Sequence, residues 1–346
     1  MKKLLVGMSG GVDSSLSAAL LLEQGYEIAG ATLSLFENAS AADIADARRV
    51  CEALGISHRT LFFGEEFSRL VTDNFISEYL AGRTPNPCVV CNRTVKFGKM
   101  LDTALENGFD GVATGHYAAL EVQNGRTLLK RAADPSKDQS YMLYSLNQHQ
   151  LSHACFPLGQ LTKGEVRALA QERQLSVSQK KDSQDICFIP DGDYAGYIER
   201  AIGRAVPAGD FCDVNGKLLG RHAGIIRYTE GQRKGLGIAL GKPQFVLSKS
   251  AEDNRVVLGD EAGLFFKRVL VENVNYIPFD GLSSPLRVQA KLRYRHAPQA
   301  AVLHPTEKGA LLEFEEPQRA PTAGQSAVFY DGDIVIGGGI IEGGIK

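Results

Sequence analysis

The amino-terminal sequence joins an apolar segment to a helical pattern through a glycine-rich bend. In LLVGMSGGVDSSLSAALLLEQG, residues 4–25, the apolar run ends at Met8, Ser9-Gly10-Gly11 follow, and helical spacing of apolar residues begins. Glycines allow a tight turn and a close approach of the backbone to an anion. The start of a helix adds free N–H groups and the positive end of its dipole. The bend therefore predicts a phosphate site where a strand passes into a helix.

The first half of the chain continues this alternation. Strands are predicted at residues 26–36, 57–63 and 109–120, the last broken by Gly115. Helices are predicted at residues 41–54, with Ser40 as N-cap, and 66–82. Alternation of this kind predicts a mostly parallel sheet with helices on both faces, whose ligands bind beyond the carboxyl ends of the strands. Residues 9–15, Leu33, and Gly115 with His116 all fall at such ends.

The second half changes character from about Gly203. Short apolar runs lie between glycines and prolines, which predicts hairpin-linked strands. We expect domains over residues 1–200, 201–264 and 265–346.

The net charge of −2 does not favour nucleic-acid binding by the whole chain. Residues 221–300, however, carry thirteen Lys or Arg against seven Asp or Glu, an excess suited to a phosphate backbone.

Six cysteines in a chain of this length, without a secretory start, do not predict a disulfide framework. No apolar run approaches the roughly 20 residues that span a bilayer, so we expect a cytoplasmic protein without membrane contact. Cys51, Cys155 and Cys212 are expected to be structural. Cys88 and Cys91 form a CxxC pair in a loop predicted from its prolines; zinc binding, redox chemistry and chance all remain open for such a pair.

The bend fits neither GxGxxG nor GxxxxGK[ST], which disfavours a Rossmann dinucleotide site and a Walker A loop. Helix capping alone is the simpler alternative. Asp13 is a candidate ligand for Mg²⁺ bound to phosphates. The stretch resembles the SGGxDS signature of the ATP pyrophosphatase (PP-loop) superfamily. This resemblance implies cleavage of ATP between its α- and β-phosphates and adenylation of a substrate oxygen.

Eight segments in order resemble the tRNA-specific 2-thiouridylases. They are GMSGGVDSS, GRTPNPCVVCNRTVKFG, ATGHYA, KDQSYML, KKDSQDICFI, YTEGQRKGLGI, LRYRH and PTAGQSAVFYDGDIVIGGGII. The resemblance implies an α/β fold: a PP-loop (adenine nucleotide α-hydrolase-like) parallel-sheet domain, a central β-rich tRNA-contacting domain and a carboxyl-terminal β-barrel. It also implies ATP-dependent 2-thiolation of the wobble uridine of tRNA, with release of AMP and pyrophosphate.

The resemblance also assigns roles, position by position. It implies that Cys91 is the nucleophile and that Cys187 receives persulfide sulfur from a donor protein, a cysteine desulfurase or a sulfur relay. The implied ATP-binding positions are Gly7, Met8, Ser9, Gly10, Gly11, Val12, Asp13, Ser14, Leu33 and Gly115. The implied contacts to the tRNA anticodon stem-loop are Asn86, Pro87, Cys88, His116, Lys137, Asp138, Gln139, Arg293, Tyr294, Arg295 and Gln325.

Two positions depart from the family pattern. Many members carry aspartate at the position of Cys88, with a base-like role that cysteine puts in question. Cys88, Cys91 and Cys187 are alternatively ligands of a 4Fe-4S cluster that carries sulfide, in place of a persulfide route through Cys91 and Cys187. Glu230 replaces a residue that is usually apolar.

Two other functions are consistent with parts of the sequence. A PP-loop ligase of the GMP synthetase type shares SGGVDSS but has no use for Cys91 and Cys187. A non-catalytic nucleotide-binding module on an RNA-binding scaffold has no activity to lose when these cysteines are replaced.

Overall fold

The computed structural model describes residues 2–36, 41–178, 180 and 186–346. The predicted N-cap Ser40 lies outside the described residues. Within them, the strands are β1 Lys3–Gly7, β2 Glu27–Ser34, β3 His58–Phe62, β4 Gly111–Ala113, β5 Ala119–Gln123, β6 Arg126–Lys130, β7 Ala154–Cys155, β8 Gly209–Cys212, β9 Leu218–His222, β10 Phe245–Ser250, β11 Arg255–Gly259, β12 Phe265–Tyr276, β13 Leu286–Lys291, β14 Gln299–Thr306, β15 Gly309–Arg319, β16 Ser326–Asp331 and β17 Ile334–Ile345.

Most helices precede the β-rich second half. In the described parts of the chain the α-helices are α1 Val12–Glu23, α2 Ala41–Ala53, α3 Gly64–Phe67, α4 Asp73–Leu80, α5 Pro87–Cys91, α6 Met100–Glu106, α7 Gln148–Ser152, α8 Lys163–Glu172 and α9 Tyr194–Ile202. Ser68–Thr72 and Asn92–Lys99 are π-helical, and Ser140–Met142, Ile225–Arg227 and Glu261–Leu264 are 3₁₀ turns.

The chain divides into two compact units. Unit 1 comprises Met1–Thr72, Cys88–Gln184 and Gly332–Gly337, and unit 2 comprises Asp73–Pro87, Asp185–Asp331 and Gly338–Lys346. The predicted boundaries after residues 200 and 264 are not tested by this division and stay a prediction.

Unit 1 is built on a parallel sheet with the strand order β3-β2-β1-β4-β7. The chain runs outward from β1 to β2 and β3, and later returns to the other side of β1 with β4. Such a reversal leaves a crevice at the carboxyl ends of the two strands that flank it, here β1 and β4. Buried apolar side chains of β1, α1, α2 and β4 form the core beneath, including Val6, Met8, Leu21 and Val50.

One local prediction in this part of the chain was wrong. The CxxC segment is not a loop, because Pro87 opens α5 and the following residues continue helically through Asn92–Lys99 into α6. Proline is well suited to the first position of a helix, where its missing N–H has no partner to lose. The predicted strand over residues 109–120, expected to be broken by Gly115, is two strands on either side of that glycine: β4 joins the parallel sheet and β5 starts a hairpin with β6.

Unit 2 contains two further sheets. One has the order β10-β11-β8-β9. The other runs β12-β15-β14-β13-β16-β17 and closes through pairing of β12 with β17, which makes a six-stranded barrel. The expected parallel-sheet domain followed by mainly-β parts, with a barrel last, is confirmed. Among the described residues, no helix combines the length and the apolar character needed to cross a membrane.

Candidate active site

The glycine bend lies at the carboxyl end of the central strand. β1 ends at Gly7, α1 starts at Val12, and Gly10 has a φ of +69°, a conformation that favours glycine. A Cβ on Gly10 would stand 2.5 Å from the carbonyl oxygen of Asp43 in α2. Gly11 is the N-cap and has extended backbone. The bend thus needs glycine both for its φ and for its packing, and it presents the start of α1 toward the crevice.

Serine hydroxyls stabilise this bend from within. The backbone N–H of Ser9 donates to Oγ of Ser14 at 3.2 Å. The hydroxyls of Ser14 and Ser15 both donate to the carbonyl oxygen of Gly11, at 3.2 Å and 2.9 Å. Ser14 and Ser15 are buried, while Ser9 is exposed. These serines therefore hold the bend open at the first turn of α1.

Gly115 brings a second strand end to the same place. It follows β4, and a Cβ on it would lie 2.9 Å from the backbone nitrogen of Ser14 and 2.9 Å from the carbonyl carbon of Asp13. Leu33 lies near the end of β2 at the same edge of the sheet. The predicted ATP-binding positions that share this edge are Gly7, Met8, Ser9, Gly10, Gly11, Val12, Asp13, Ser14, Leu33 and Gly115. We call residues 7–15 together with Gly115 the phosphate cradle.

Asp13 is held by a lysine far along the chain. Nζ of Lys163 donates to both carboxylate oxygens, at 2.7 Å and 2.9 Å, and the hydroxyl of Tyr117 donates to Oδ1 at 2.8 Å. The ammonium also lies 5.7 Å from the centre of the Tyr117 ring. Lys163 is the first residue of α8, and its side chain is 11% exposed. The cradle therefore contains a cation that the sequence motif does not carry.

His116 lies next to Gly115 in an apolar setting. Its Nδ1 is 2.7 Å from Oγ1 of Thr114, and its ring packs near Phe97 and Phe156. Burial, with a smaller contribution from the positive charge of Lys96, lowers the pKa of His116 well below its usual value. The imidazole is therefore neutral at neutral pH, and it contacts a partner as a hydrogen-bonding group and not as a cation.

The predicted tRNA contacts Lys137, Asp138 and Gln139 lie at and just after a turn beside this strand end in unit 1. Oδ1 of Asp138 accepts from the backbone N–H of Ser140 at 3.1 Å, and Oδ2 accepts from its hydroxyl at 2.9 Å. Gln139 pairs reciprocally with the backbone of Tyr117: its side-chain oxygen accepts at 2.9 Å, and its own N–H donates at 2.8 Å. These bonds tie the turn to the residue that follows His116.

The two thiols of the CxxC pair lie on one helical turn but differ in exposure. Cys88 is exposed, whereas Cys91, at the end of α5, is buried. The side-chain amide of Asn92 donates to the carbonyl oxygen of Met142 at 2.9 Å, which anchors this helix immediately after Cys91. This hydrogen bond holds the backbone next to Cys91, which stays the predicted nucleophile.

Cys187 belongs to unit 2 and is exposed. The next residue, Phe188, is buried against Phe75 and Tyr197, with ring centroids 5.4 Å and 5.3 Å away. An aromatic anchor thus holds the chain on the carboxyl side of an exposed thiol. The pairing of Cys187 with Cys91 stays a prediction.

A loop of the carboxyl-terminal barrel grips the chain ahead of the CxxC pair. The backbone N–H of Thr84 donates to the carbonyl oxygen of Ala323 at 2.8 Å, and the side-chain amide of Gln325 donates to the carbonyl oxygen of Thr84 at 2.8 Å. Gly324 has a φ of +88°, and a Cβ on it would lie 2.9 Å from the Thr84 nitrogen. We call residues 323–325 the clamp. The predicted tRNA contact Asn86 lies just beyond the segment that it holds.

A charged group in unit 2 supports the clamp. Oε2 of Glu230 accepts from the backbone N–H of Ala323 at 3.1 Å. Nη2 of Arg293 donates to the backbone oxygen of Glu230 at 3.0 Å and to Oγ1 of Thr322 at 2.6 Å. Burial raises the pKa of Glu230, against the effect of Lys249, and burial lowers the pKa of Lys249 to about 8. Arg293, predicted to contact tRNA, thus joins two β-rich segments.

The two residues after Arg293 are more accessible. Arg295 is exposed, and Tyr294 is half-buried with Nζ of Lys291 at 5.7 Å from its ring centre.

Sequence reasoning missed Lys163, Tyr117 and the Thr84 contact. No local pattern announces them, because each partner lies more than 100 residues away along the chain.

Family models match the chain in three consecutive parts. The "tRNA methyl transferase HUP domain" matches residues 2–191, the "tRNA methyl transferase PRC-barrel domain" residues 195–260, and the "Aminomethyltransferase beta-barrel domain" residues 266–341. Among similar proteins, tRNA-specific 2-thiouridylase MnmA 1 of Clostridium botulinum (strain Loch Maree) is 48% identical over 353 residues, with 99% of each chain covered. tRNA-specific 2-thiouridylase MnmA of Acetivibrio thermocellus is 49% identical over 356 residues, again with 99% of each covered.

Solved structures match more distantly. A 4-thiouridine synthetase–RNA complex with bound ATP has 16% identity and a TM-score of 0.36, covering 58% of this chain and 50% of that one. An NH₃-dependent NAD synthetase from Campylobacter jejuni has 18% identity and a TM-score of 0.33, covering 53% and 69%.

Proposed function

This chain belongs to the tRNA-specific 2-thiouridylase family, and we propose that it replaces the C2 oxygen of the wobble uridine of tRNA with sulfur in an ATP-dependent reaction. The observation in the fold that supports this activity is the phosphate cradle. Gly10, Gly11 and Gly115 bring the start of α1 to an open strand end at the reversal of the sheet. Backbone N–H groups in this arrangement bind phosphate without a lysine of the Walker A type.

The cradle glycines cannot be replaced without moving the backbone that would hold a nucleoside triphosphate. At Gly10 and Gly115 a Cβ would collide with backbone atoms at 2.5 Å and 2.9 Å. ATP supplies the adenylyl group, which converts the uracil O2 from a poor into a good leaving group. The protein's part is to hold the phosphates at the start of α1, and the neutral imidazole of His116 beside Gly115 is placed to donate or accept a hydrogen bond.

The fit for a magnesium ion is less direct. Both oxygens of Asp13 accept hydrogen bonds from Lys163, so the carboxylate is already neutralised in this arrangement. Among the described residues, no group of three or more His, Cys, Asp or Glu side chains is arranged to hold a metal ion. Mg²⁺ and a 4Fe-4S cluster therefore stay predictions, and no step is derived through either.

The persulfide route uses thiols of this chain. A donor protein would pass a sulfane sulfur to the exposed Cys187, and attack of that terminal sulfur on C2 of the adenylated uridine would expel AMP. The thiolate of Cys91 would break the S–S bond of the persulfide, which leaves a Cys91–Cys187 disulfide and one sulfur on the base. A thiol reductant then returns both cysteines to thiols for the next cycle.

The uridine must leave its stack to meet these groups, as a base does in other base-modifying enzymes. The predicted contacts Asn86, Pro87, Gln139 and Arg295 are supported by their positions on held segments or on exposed surface. Cytoplasmic location and the identity of the sulfur donor stay predictions.

The decisive experiment is nucleoside mass spectrometry of tRNA incubated with the protein, ATP, magnesium, a sulfur source and a reductant. We expect 2-thiouridine from the wild type and at least 100-fold less from Cys91→Ser and Cys187→Ser, with ATP binding unchanged. Cys155→Ala, which removes a thiol from β7, is the matched control and keeps activity. A ligase of the GMP synthetase type would retain its activity in both serine variants, and this result would refute the proposal.

Iron and sulfide analysis after anaerobic purification separates the two sulfur routes. A colourless, iron-free and fully active protein supports the persulfide route. The Cys88→Ser variant, purified in the same way, tests the role of Cys88. Thiolation activity within threefold of the wild type would mean that Cys88 takes part in no chemical step.

A further inference from the structure

The segment that leads into the CxxC pair is held in part from the far end of the chain. Thr84 places both of its backbone hydrogen-bonding groups on the clamp, one on the Ala323 carbonyl and one on the Gln325 amide. The same amide is 3.3 Å from the carbonyl oxygen of Pro85. Pro85 and Pro87 lack N–H groups, so this extended stretch has few donors with which to fix itself.

The clamp in turn depends on how its own backbone is held. Gly324 and Gln325 are tied to the last strand, since the Gly324 N–H donates to the Ile341 oxygen at 2.9 Å and the Ile341 N–H donates to the Gln325 oxygen at 2.8 Å. The backbone groups of Ala323 bind other partners than the last strand. Its N–H donates to Glu230 at 3.1 Å while its carbonyl accepts from Thr84. The Ala323 carbonyl and the Gly324 N–H belong to one peptide plane, and the preceding plane carries the Ala323 N–H that Glu230 binds.

Glu230 is itself fixed on several sides. Arg293 donates to its backbone oxygen, and the neighbouring Gly231 has a φ of +85° and donates to the Val246 oxygen at 2.8 Å. Lys249, whose Nζ donates to the Tyr228 oxygen at 2.8 Å, supplies the nearby positive charge. A carboxylate fixed in this way directs its oxygen at one backbone N–H and orients the loop that carries it.

We propose that Glu230 is a positioning residue for tRNA thiolation: through Ala323 it sets the clamp, and the clamp sets the segment that carries Asn86 and Pro87. This inference rests on the proposed function for its consequence in catalysis. Its structural part, the coupling of Glu230 to the Thr84 amide, can be tested without any activity. Glu230 touches neither nucleotide nor thiol in this scheme.

The variants separate three properties of the Glu230 side chain: its ability to accept the hydrogen bond, its charge and its length. Glu230→Gln retains a side-chain oxygen at the same distance, Glu230→Met keeps the volume but has no oxygen acceptor, and Glu230→Asp keeps the charge but is one methylene shorter. Glu252→Gln, an exposed glutamate of the same unit, is the matched control. The aspartate variant keeps the proposal testable if methionine prevents folding.

The first measurement is amide hydrogen exchange in a peptide over residues 83–88. Because residues 85 and 87 are prolines, Thr84 is one of its few exchangeable amides. We expect exchange of this peptide to be at least tenfold faster in Glu230→Met and Glu230→Asp, and unchanged in Glu230→Gln and Glu252→Gln. Equal exchange in all four variants would overturn the proposal.

The second measurement is steady-state thiolation. We expect kcat/KM for tRNA to fall roughly tenfold in Glu230→Met and Glu230→Asp, with rescue to within threefold in Glu230→Gln and with KM for ATP unchanged. Loss of activity without faster exchange at Thr84 would contradict the positioning role. If the wild type itself makes no 2-thiouridine, the proposed function fails, while the exchange data still decide the coupling.

Discussion

The phosphate cradle and the clamp are held by hydrogen bonds of different range along the chain. Residues 7–15 of the cradle are consecutive, and their bend is held by hydrogen bonds that span three to five residues. The clamp holds Thr84 through a side chain 241 residues away and is braced by Glu230, 93 residues away. Local contacts specify the first site, and only the assembled β-rich part of the chain creates the second.

The sharpest test of the cradle is Gly10→Ala. The added methyl meets the Asp43 carbonyl oxygen at 2.5 Å and sits on a residue with a φ of +69°, so the bend must move. We expect ATP affinity, measured by calorimetry, to fall at least 100-fold.

Gly25→Ala is its matched control, because φ is +82° there but no atom lies within 4 Å of the added Cβ. It shares the backbone strain, costs about 1 kcal/mol of stability and keeps ATP affinity. Equal ATP affinity in the two variants would show that steric fit at the cradle is not required.

Lys163→Met probes a distant partner of the cradle. Removal of the ammonium leaves the partly buried Asp13 carboxylate with the Tyr117 hydroxyl. We expect a loss of roughly 2 kcal/mol in the free energy of unfolding, between the values for surface and buried pairs, measured by urea denaturation. Lys130→Met breaks the more exposed pair with Glu121 and should cause no measurable change. A Lys163→Met variant as stable as Lys130→Met would show that the ion pair with Asp13 does not stabilise the fold.

The smallest expected effect is the dependence of folding stability on pH that His116 causes. Burial lowers the pKa of His116, so below its ordinary value of 6.5 the unfolded chain binds a proton that the folded chain does not. Stability is therefore retained above pH 6.5 and falls on acidification, by at most about 1.4 kcal/mol per pH unit for this one group.

Thermal unfolding between pH 7.5 and pH 5.5 measures this slope, and His116→Asn should reduce it. His58, whose pKa burial also lowers, keeps its own contribution. Replacement of the exposed His149 by Asn is the control for removal of a histidine. An unchanged slope in His116→Asn would show that another group governs the acid response.

The contrast between local and long-range contacts also explains which features could be predicted from the sequence. β1, the bend and α1 follow from consecutive residues, and Gly115 could be placed beside them because parallel strands share their carboxyl ends. The fold class was predicted correctly on these grounds and on the family resemblance. The helical state of residues 87–99 was missed because prolines read as loop signals, although Pro87 is the first residue of α5.

The long-range partners had no sequence signal. Lys163 opens a helix with a capping box formed by Thr162 and Glu165, and from sequence it reads as an ordinary residue of a first turn. The sequence gives no reason for a glutamate at position 230; in the structure its side chain accepts a hydrogen bond from the distant Ala323 N–H. Such pairs depend on how sheets and loops stack, which hydrophobic periodicity does not encode.

The clamp also orders events during synthesis. Thr84 leaves the ribosome some 240 residues before the loop that will bind it, and domains fold largely in the order in which they emerge. A nascent chain can thus complete its parallel sheet while the segment ahead of the CxxC pair still lacks its final partners. Translation of the last barrel strands is then the step that lets the clamp form around Thr84.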